Sequence, residues 1–174
     1  MKHETALDFG LAIAYVIPGF VALWGLSFFS PTVRTWFSSP TDNSPAVAGF
    51  LYVLLASTAV GLIVSAIRWA VIDRVHAWTG LPSPQWDYAA LNDRLPAFQV
   101  LVQHHYRYYQ FYSNLLVAVI LAYSARSAAL RIWPGQGGWT DGAVLLVVAI
   151  LIAGSRDTLR KYHQRGSGFL KRRS

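Results

Sequence analysis

The chain has 174 residues, 54% of them hydrophobic and 13% charged, with a mean hydropathy of +0.35 and a formal net charge of +7. A soluble globular chain is about a quarter charged, so this composition excludes an ordinary soluble globule, a disordered chain and a collagen. Cysteine is absent, which removes thiolate nucleophiles, zinc–thiolate and iron–sulfur sites, and a disulfide framework.

A membrane-spanning helix needs about 20 mostly apolar residues. The first such run covers 7–29, interrupted only by Asp8 at its start. It does not read as a cleaved signal peptide: Glu4 and Asp8 stand beside Lys2, the apolar stretch is too long, and no small-residue cleavage site follows. Thr5-x-x-Asp8 reads as a helix cap, with Asp8 at the positive end of the helix dipole. Pro18, beside Gly19, predicts a kink, and Ser30-Pro31 predicts the end of this helix.

The second span, 46–67, carries no charge. Its helical pattern continues through Arg68, Trp69, Asp73, Arg74 and His76 to Thr79, where Gly80 is a suitable left-handed stop before Leu81-Pro82-Ser83-Pro84. Such a helix rises about 51 Å. With a hydrocarbon core of about 30 Å, roughly 20 Å projects beyond it. The third helix is expected to begin near Pro96, a favoured first-turn residue, and to cross the membrane over about 109–130. The fourth apolar run, Gly142 to Gly154, is short. It spans only as 139–156, with Trp139 anchoring one interface and Arg156 snorkelling to the other. Its predicted start is the Thr140-Asp141 cap after the turn Gly135 to Gly138, and its predicted stop is Gly166. Asp157 with Arg160 or Lys161 offers helix-surface ion pairs.

These runs predict an all-α polytopic membrane protein: one domain, 1–165, of four transmembrane helices with cytosolic helical extensions, then a mobile basic tail, 166–174. Lysine and arginine set the orientation. The N-terminus, the middle connection and the C-terminus hold twelve of them, and the other two loops hold only Arg34, Arg126 and Arg131. Both termini are therefore expected in the cytoplasm, with a bacterial inner membrane as the location. Three stems on that side imply a helical layer over Asp73 to Gln110, containing Trp78, Trp86, Tyr88 and Phe98. No internal repeat suggests an inverted-repeat transporter.

Two kinds of stripe run along these helices. Small residues at helical spacing (Ser57, Gly61 and Ser65; Ala118, Ala122, Ala125 and Ala129; Ala6, Gly10 and Ala14) predict close helix packing, within one chain or between copies. A polar stripe, Gln99, Gln103, Arg107, Gln110 and Asn114, recurs at steps of four, four, three and four and stops inside the membrane. It reads either as a solvated stem face with Asn114 bonded across an interface, or as a vestibule or partner groove. Thr58, Ser65 and Arg68 of the second helix are the residues that could extend it.

The tyrosines at 106, 108, 109 and 112 suit the membrane interface. They could stack bases beside Arg107, but no phosphate-cradling glycine loop accompanies them, so neither nucleotide nor nucleic acid is expected as a partner. No catalytic set is legible. His104 and His105 are adjacent and point about 100° apart; Gly154-Ser155 lacks the hydrolase context; Arg156 and His163 match only a loose ribonuclease spacing. No metal or cofactor is expected.

The leading expectation is a non-enzymatic, oligomeric membrane component that docks a soluble cytosolic protein through its basic face, where Arg160, Lys161, Arg165, Lys171, Arg172 and Arg173 meet partner or anionic lipid. The alternatives are a gated pore or membrane-disrupting effector, as in stress or antiviral (phage) defence, and an interfacial enzyme acting on lipid or nucleotide, for which no motif speaks.

Overall fold

The computed structural model describes residues 10, 12–37, 46–86 and 95–170. The expected Thr5–Asp8 cap, Tyr88 and the Lys171-Arg172-Arg173 cluster lie outside these residues. Five helices are described: α1 (Ala12–Leu26), α2 (Pro31–Phe37), α3 (Ala46–Trp78), α4 (Leu95–Leu130) and α5 (Trp139–Leu170). No strand occurs among the described residues. Three helices, α3, α4 and α5, are long and apolar enough to cross a membrane, and α1 is a shorter apolar helix. Large apolar side chains stand exposed along α3 (Phe50, Leu55, Leu62, Ile63) and α5 (Leu145, Leu146, Ile150). Faces of this kind are what a lipid-solvated helix presents, and a water-soluble monomer seldom exposes such continuous apolar surface.

The core forms around α1, which packs against both α3 and α4. It runs antiparallel to α3, since Tyr15 meets Gly61 and Gly19 meets Ser57. It runs parallel to α4, since Ala14 meets Asn114 and Gly25 meets Ala122. The spacing is set by missing side chains. A Cβ on Gly19 would lie 1.8 Å from the Ser57 carbonyl oxygen, and one on Gly61 would lie 2.1 Å from the Tyr15 carbonyl oxygen. Without a hydrophobic driving force between helices in lipid, this close backbone approach supplies the van der Waals contact that holds them. Helix α5 packs on α4 in the antiparallel sense, with Tyr123 near its start and Ser113 near Ser155.

Several helix ends differ from their sequence expectations. Before Pro18 the chain forms a wide π-type turn, Ala12–Val16, which accommodates the proline with an extra residue in the turn. Helix α1 ends at Leu26, where Ser27 Oγ donates to the Trp24 carbonyl and Arg34 Nε donates to the Ser27 carbonyl; Pro31 opens α2. Gly80 does terminate α3, with a φ of 94° and the Leu81 N–H bonded to the His76 carbonyl at 2.9 Å. Asp141 is not the first cap of α5. It sits two residues inside the helix and reaches back, accepting from the N–H groups of Gly135 (2.6 Å) and Gly137 (3.0 Å) and from the Tyr123 hydroxyl (2.7 Å).

Gly166 does not stop α5, which continues to Leu170 and so takes in the first half of the expected tail. Its role is clearance: a Cβ there would lie 2.4 Å from the Trp86 ring, so the approach of that ring to α5 requires a bare backbone. We expect Gly19→Leu to force α1 off α3 and to lower the detergent-solubilised melting temperature sharply, or to abolish folding. Gly142→Ala, where nothing stands within 4 Å, is expected to raise stability slightly, by up to about 1 kcal/mol from helix propensity. Thermal unfolding by circular dichroism distinguishes the two.

Candidate functional site

The polar side chains of α3, α4 and α5 converge where the stems begin. Arg68, with 5% of its side chain exposed, donates from one nitrogen to both oxygens of Asp73, at 2.8 and 3.0 Å. Tyr109 of α4 donates its hydroxyl to the same carboxylate at 2.5 Å, and the Arg68 guanidinium lies 5.4 Å from the centre of its ring. The guanidinium is thus held by a charge, a shared acceptor and an aromatic face at once. Its Nε has no partner.

One turn further along α3, His76 Nε2 meets Ser155 Oγ of α5 at 2.6 Å. Ser155 Oγ lies 3.1 Å from Ser113 Oγ, and Ser113 donates to the Tyr109 carbonyl at 2.7 Å. Arg156 donates to the hydroxyl and the carbonyl of Thr79, capping the end of α3. The helices are therefore joined by one continuous polar knot. A serine beside a histidine is the contact of a base-activated nucleophile, and sequence reading found no such histidine for Ser155. Yet Ser155 and Ser113 are fully buried, His76 is 3% exposed, and the second ring nitrogen of His76 has no orienting partner. The hydroxyl is closed off from solvent, and the pair fastens α3 to α5. Among the described residues no three His, Cys, Asp or Glu side chains gather as metal ligands.

The expected polar stripe is divided. A second π-type turn, Val102–Tyr106, interrupts α4. Such a turn is equivalent to one inserted residue and rotates what precedes it by about 100°. Gln99 is exposed and Gln103 half-buried, whereas Gln110 and Asn114 are buried. Arg107 donates to Gln110 Oε1 (3.3 Å), Gln110 donates to the Tyr15 hydroxyl (3.1 Å), and Asn114 Nδ2 donates to the Ala14 carbonyl (2.7 Å). The last bond has a specific cause. Pro18 has no N–H, so the Ala14 carbonyl lacks its α-helical donor, and Asn114 supplies one from α4. Two buried acceptors, Asn114 Oδ1 and Ser57 Oγ, have no partner.

Ser57 and Gly61 face α1, Ala118 is fully buried, and Ala122 backs onto Gly25, so these small residues are used inside one chain. Ser65 is half-buried. Arg160, Lys161 and Arg165 are exposed on the α5 stem; Lys161 pairs with Asp157 at 2.6 Å, and Arg165 donates to His105 Nε2 at 2.7 Å. Arg156 and His163 have different neighbours, Thr79 for the former and the rings of Trp86 and Tyr162 for the latter, and form no joint site. Sequence reading missed the links from Asp73 to Tyr109 and from His76 to Ser155. The available signal was an isolated pair of opposite charges, Arg68 and Asp73, at the membrane boundary.

No protein-family model, curated protein or solved structure matches this chain.

Removing one member of a buried pair leaves a charge stranded. Asp73→Asn is expected to cost about 2–3 kcal/mol, less than the about 3–5 kcal/mol of a fully buried pair, because Asp73 remains partly open to water. Arg68→Leu is expected to cost less, and the double variant to recover most of the loss, in unfolding titrations in mild detergent. Asn114→Leu strands the Ala14 carbonyl and is expected to cost about 0.6–1.7 kcal/mol in the same assay.

Proposed function

We propose that this chain is a four-span, non-enzymatic protein of a bacterial inner membrane, with both termini and the connection between α3 and α4 in the cytoplasm, that docks a soluble partner on its helical stems. The supporting observation is where the polar groups are spent. Gln110 and Asn114, the deepest members of the stripe, are bonded to α1. A gated pore would need those same groups to face water.

What faces water is the stem surface. An open groove of about 400 Å³ is lined by Ala97, Val100, Leu101, His104, His105 and Arg165, with Arg160 and Lys161 exposed on the same stem. Apolar floor and basic rim together suit an amphipathic segment with acidic flanks. Helix α1 supports the four-span reading, because it lies against α3 and α4 and runs in the direction a first span requires. Among the described residues Arg68, Arg74, Arg107, Arg156, Arg160, Lys161 and Arg165 lie toward the stem end, which favours the cytosolic side for it. The small-residue faces of α3 and α4 are occupied by α1, so self-association uses other surfaces.

The absence of native cysteine makes the topology directly measurable. In intact cells Ser83→Cys is expected to resist a membrane-impermeant maleimide and Gln136→Cys to react; the reverse pattern overturns the orientation. Photo-crosslinking from Val100 is expected to capture one cytosolic protein, and charge reversal at Arg160, Lys161 and Arg165 to abolish that capture. Purified protein in planar bilayers is expected to pass no current, and a steady unitary conductance would restore the pore.

A further inference from the structure

Beside the Arg68–Asp73–Tyr109 group the stems enclose a half-open cavity of about 200 Å³. Its walls include Trp86, Tyr106, Tyr109 and Tyr162, with the Asp73 carboxylate at one side and His163 at another. The ring planes meet at angles: Trp86 and Tyr162 at 75° with centroids 5.2 Å apart, Tyr106 and Tyr162 at 39° and 5.1 Å, Tyr106 and Tyr109 at 41° and 6.0 Å. None of these pairs makes the parallel platform on which a base stacks. Instead four aromatic side chains line one small space, the kind of surroundings in which quaternary ammonium groups are recognised.

Three further observations point to a cation. The Tyr109 ring already holds a guanidinium, that of Arg68. Asp73 supplies the only carboxylate among the described lining residues, and its side chain is about one-third exposed. A carboxylate offers about four lone-pair positions, of which Arg68 and Tyr109 use part. The volume is below the roughly 300–1,000 Å³ of sites for drug-sized molecules, so it suits a head group and not a whole nucleotide.

We infer that this cavity binds an organic ammonium group of the quaternary, methylated kind, carried by a free small molecule or by a lipid head group. The aromatic walls take the methyl-covered cation, and the Asp73 carboxylate, already paired with Arg68, contributes only a local acceptor at one side. Asp73 lies six residues beyond Ile67, about 9 Å further along the helix, which is head-group depth on the span boundaries read above. The lipid source rests on that topology; binding of the free compound does not.

The test titrates the full chain in maltoside micelles with choline and with its uncharged isostere 3,3-dimethylbutanol, using saturation-transfer NMR. Choline is expected to bind roughly tenfold more tightly than the neutral alcohol. Tyr106→Leu, which removes one wall, is expected to weaken choline several-fold, while Tyr106→Phe, which keeps the ring, retains it. Equal affinity for the two compounds, or no binding of either, overturns the inference on the native chain alone, without reliance on a variant's folding. Equal binding by the Leu and native chains overturns it as well. Nanodiscs separate the sources: choline bound in phosphatidylglycerol but not in phosphatidylcholine assigns the site to a lipid head group, and equal binding in both assigns it to a free ammonium compound.

Discussion

In hydrocarbon, a backbone carbonyl that loses its helical donor finds no water to replace it. Pro18 creates such a carbonyl at Ala14, and the amide of Asn114 answers it from the neighbouring helix. Much of the bundle follows from this one obligation. To bring Asn114 within reach, α1 must lie directly on α4, and the same approach requires Gly25 over Ala122. On its other side α1 is pressed to α3 through Gly19 and Gly61. A helix that elsewhere would be too short to be held firmly is thereby fixed between two long ones.

The end of the bundle around Asp73 obeys a different balance. There three helices are joined by charged and hydroxyl groups, which would be costly deep in a membrane. Arg68 is buried, but Asp73, its counter-ion, is not wholly so, which keeps the desolvation cost below that of a fully interior pair. The hydroxyls of Ser113 and Ser155 continue the connection to His76. Polar bonds of this length, shared among three helices, fix them to one another at this level. The aromatic box beside them inherits its shape from that arrangement.

The elements were largely legible in the letters, because apolar length and punctuation are local signals. The ends of α3 at Gly80 and the start of α4 beside Pro96 follow from capping chemistry that needs no knowledge of the rest of the chain. A bond from Asn114 across a helix interface was one of the two readings its place in the stripe allowed, and the structure has such a bond to Ala14. What was not legible was non-local or phase-dependent. A single extra residue in the turn at Val102–Tyr106 breaks a stripe that looks continuous at 3.6 residues per turn. Gly166 reads as a stop until Trp86, 80 positions earlier, is placed against it. Ser155 and His76 are separated by 79 residues, and no spacing rule joins them.

The wide turn in α4 has a consequence for how this protein can change over generations. It is one residue more than an ordinary helix needs, placed between the part of α4 that packs on α1 and the part that begins at Leu95. Loss of a single codon there would restore uniform winding and swing Gln99, Val100 and their neighbours to a new bearing, while leaving every contact of Asn114 untouched. That end of α4 can thus be re-aimed by the smallest in-frame deletion a gene can suffer, at the expense of its own contacts at Leu101 and Phe98 and not of those at Asn114.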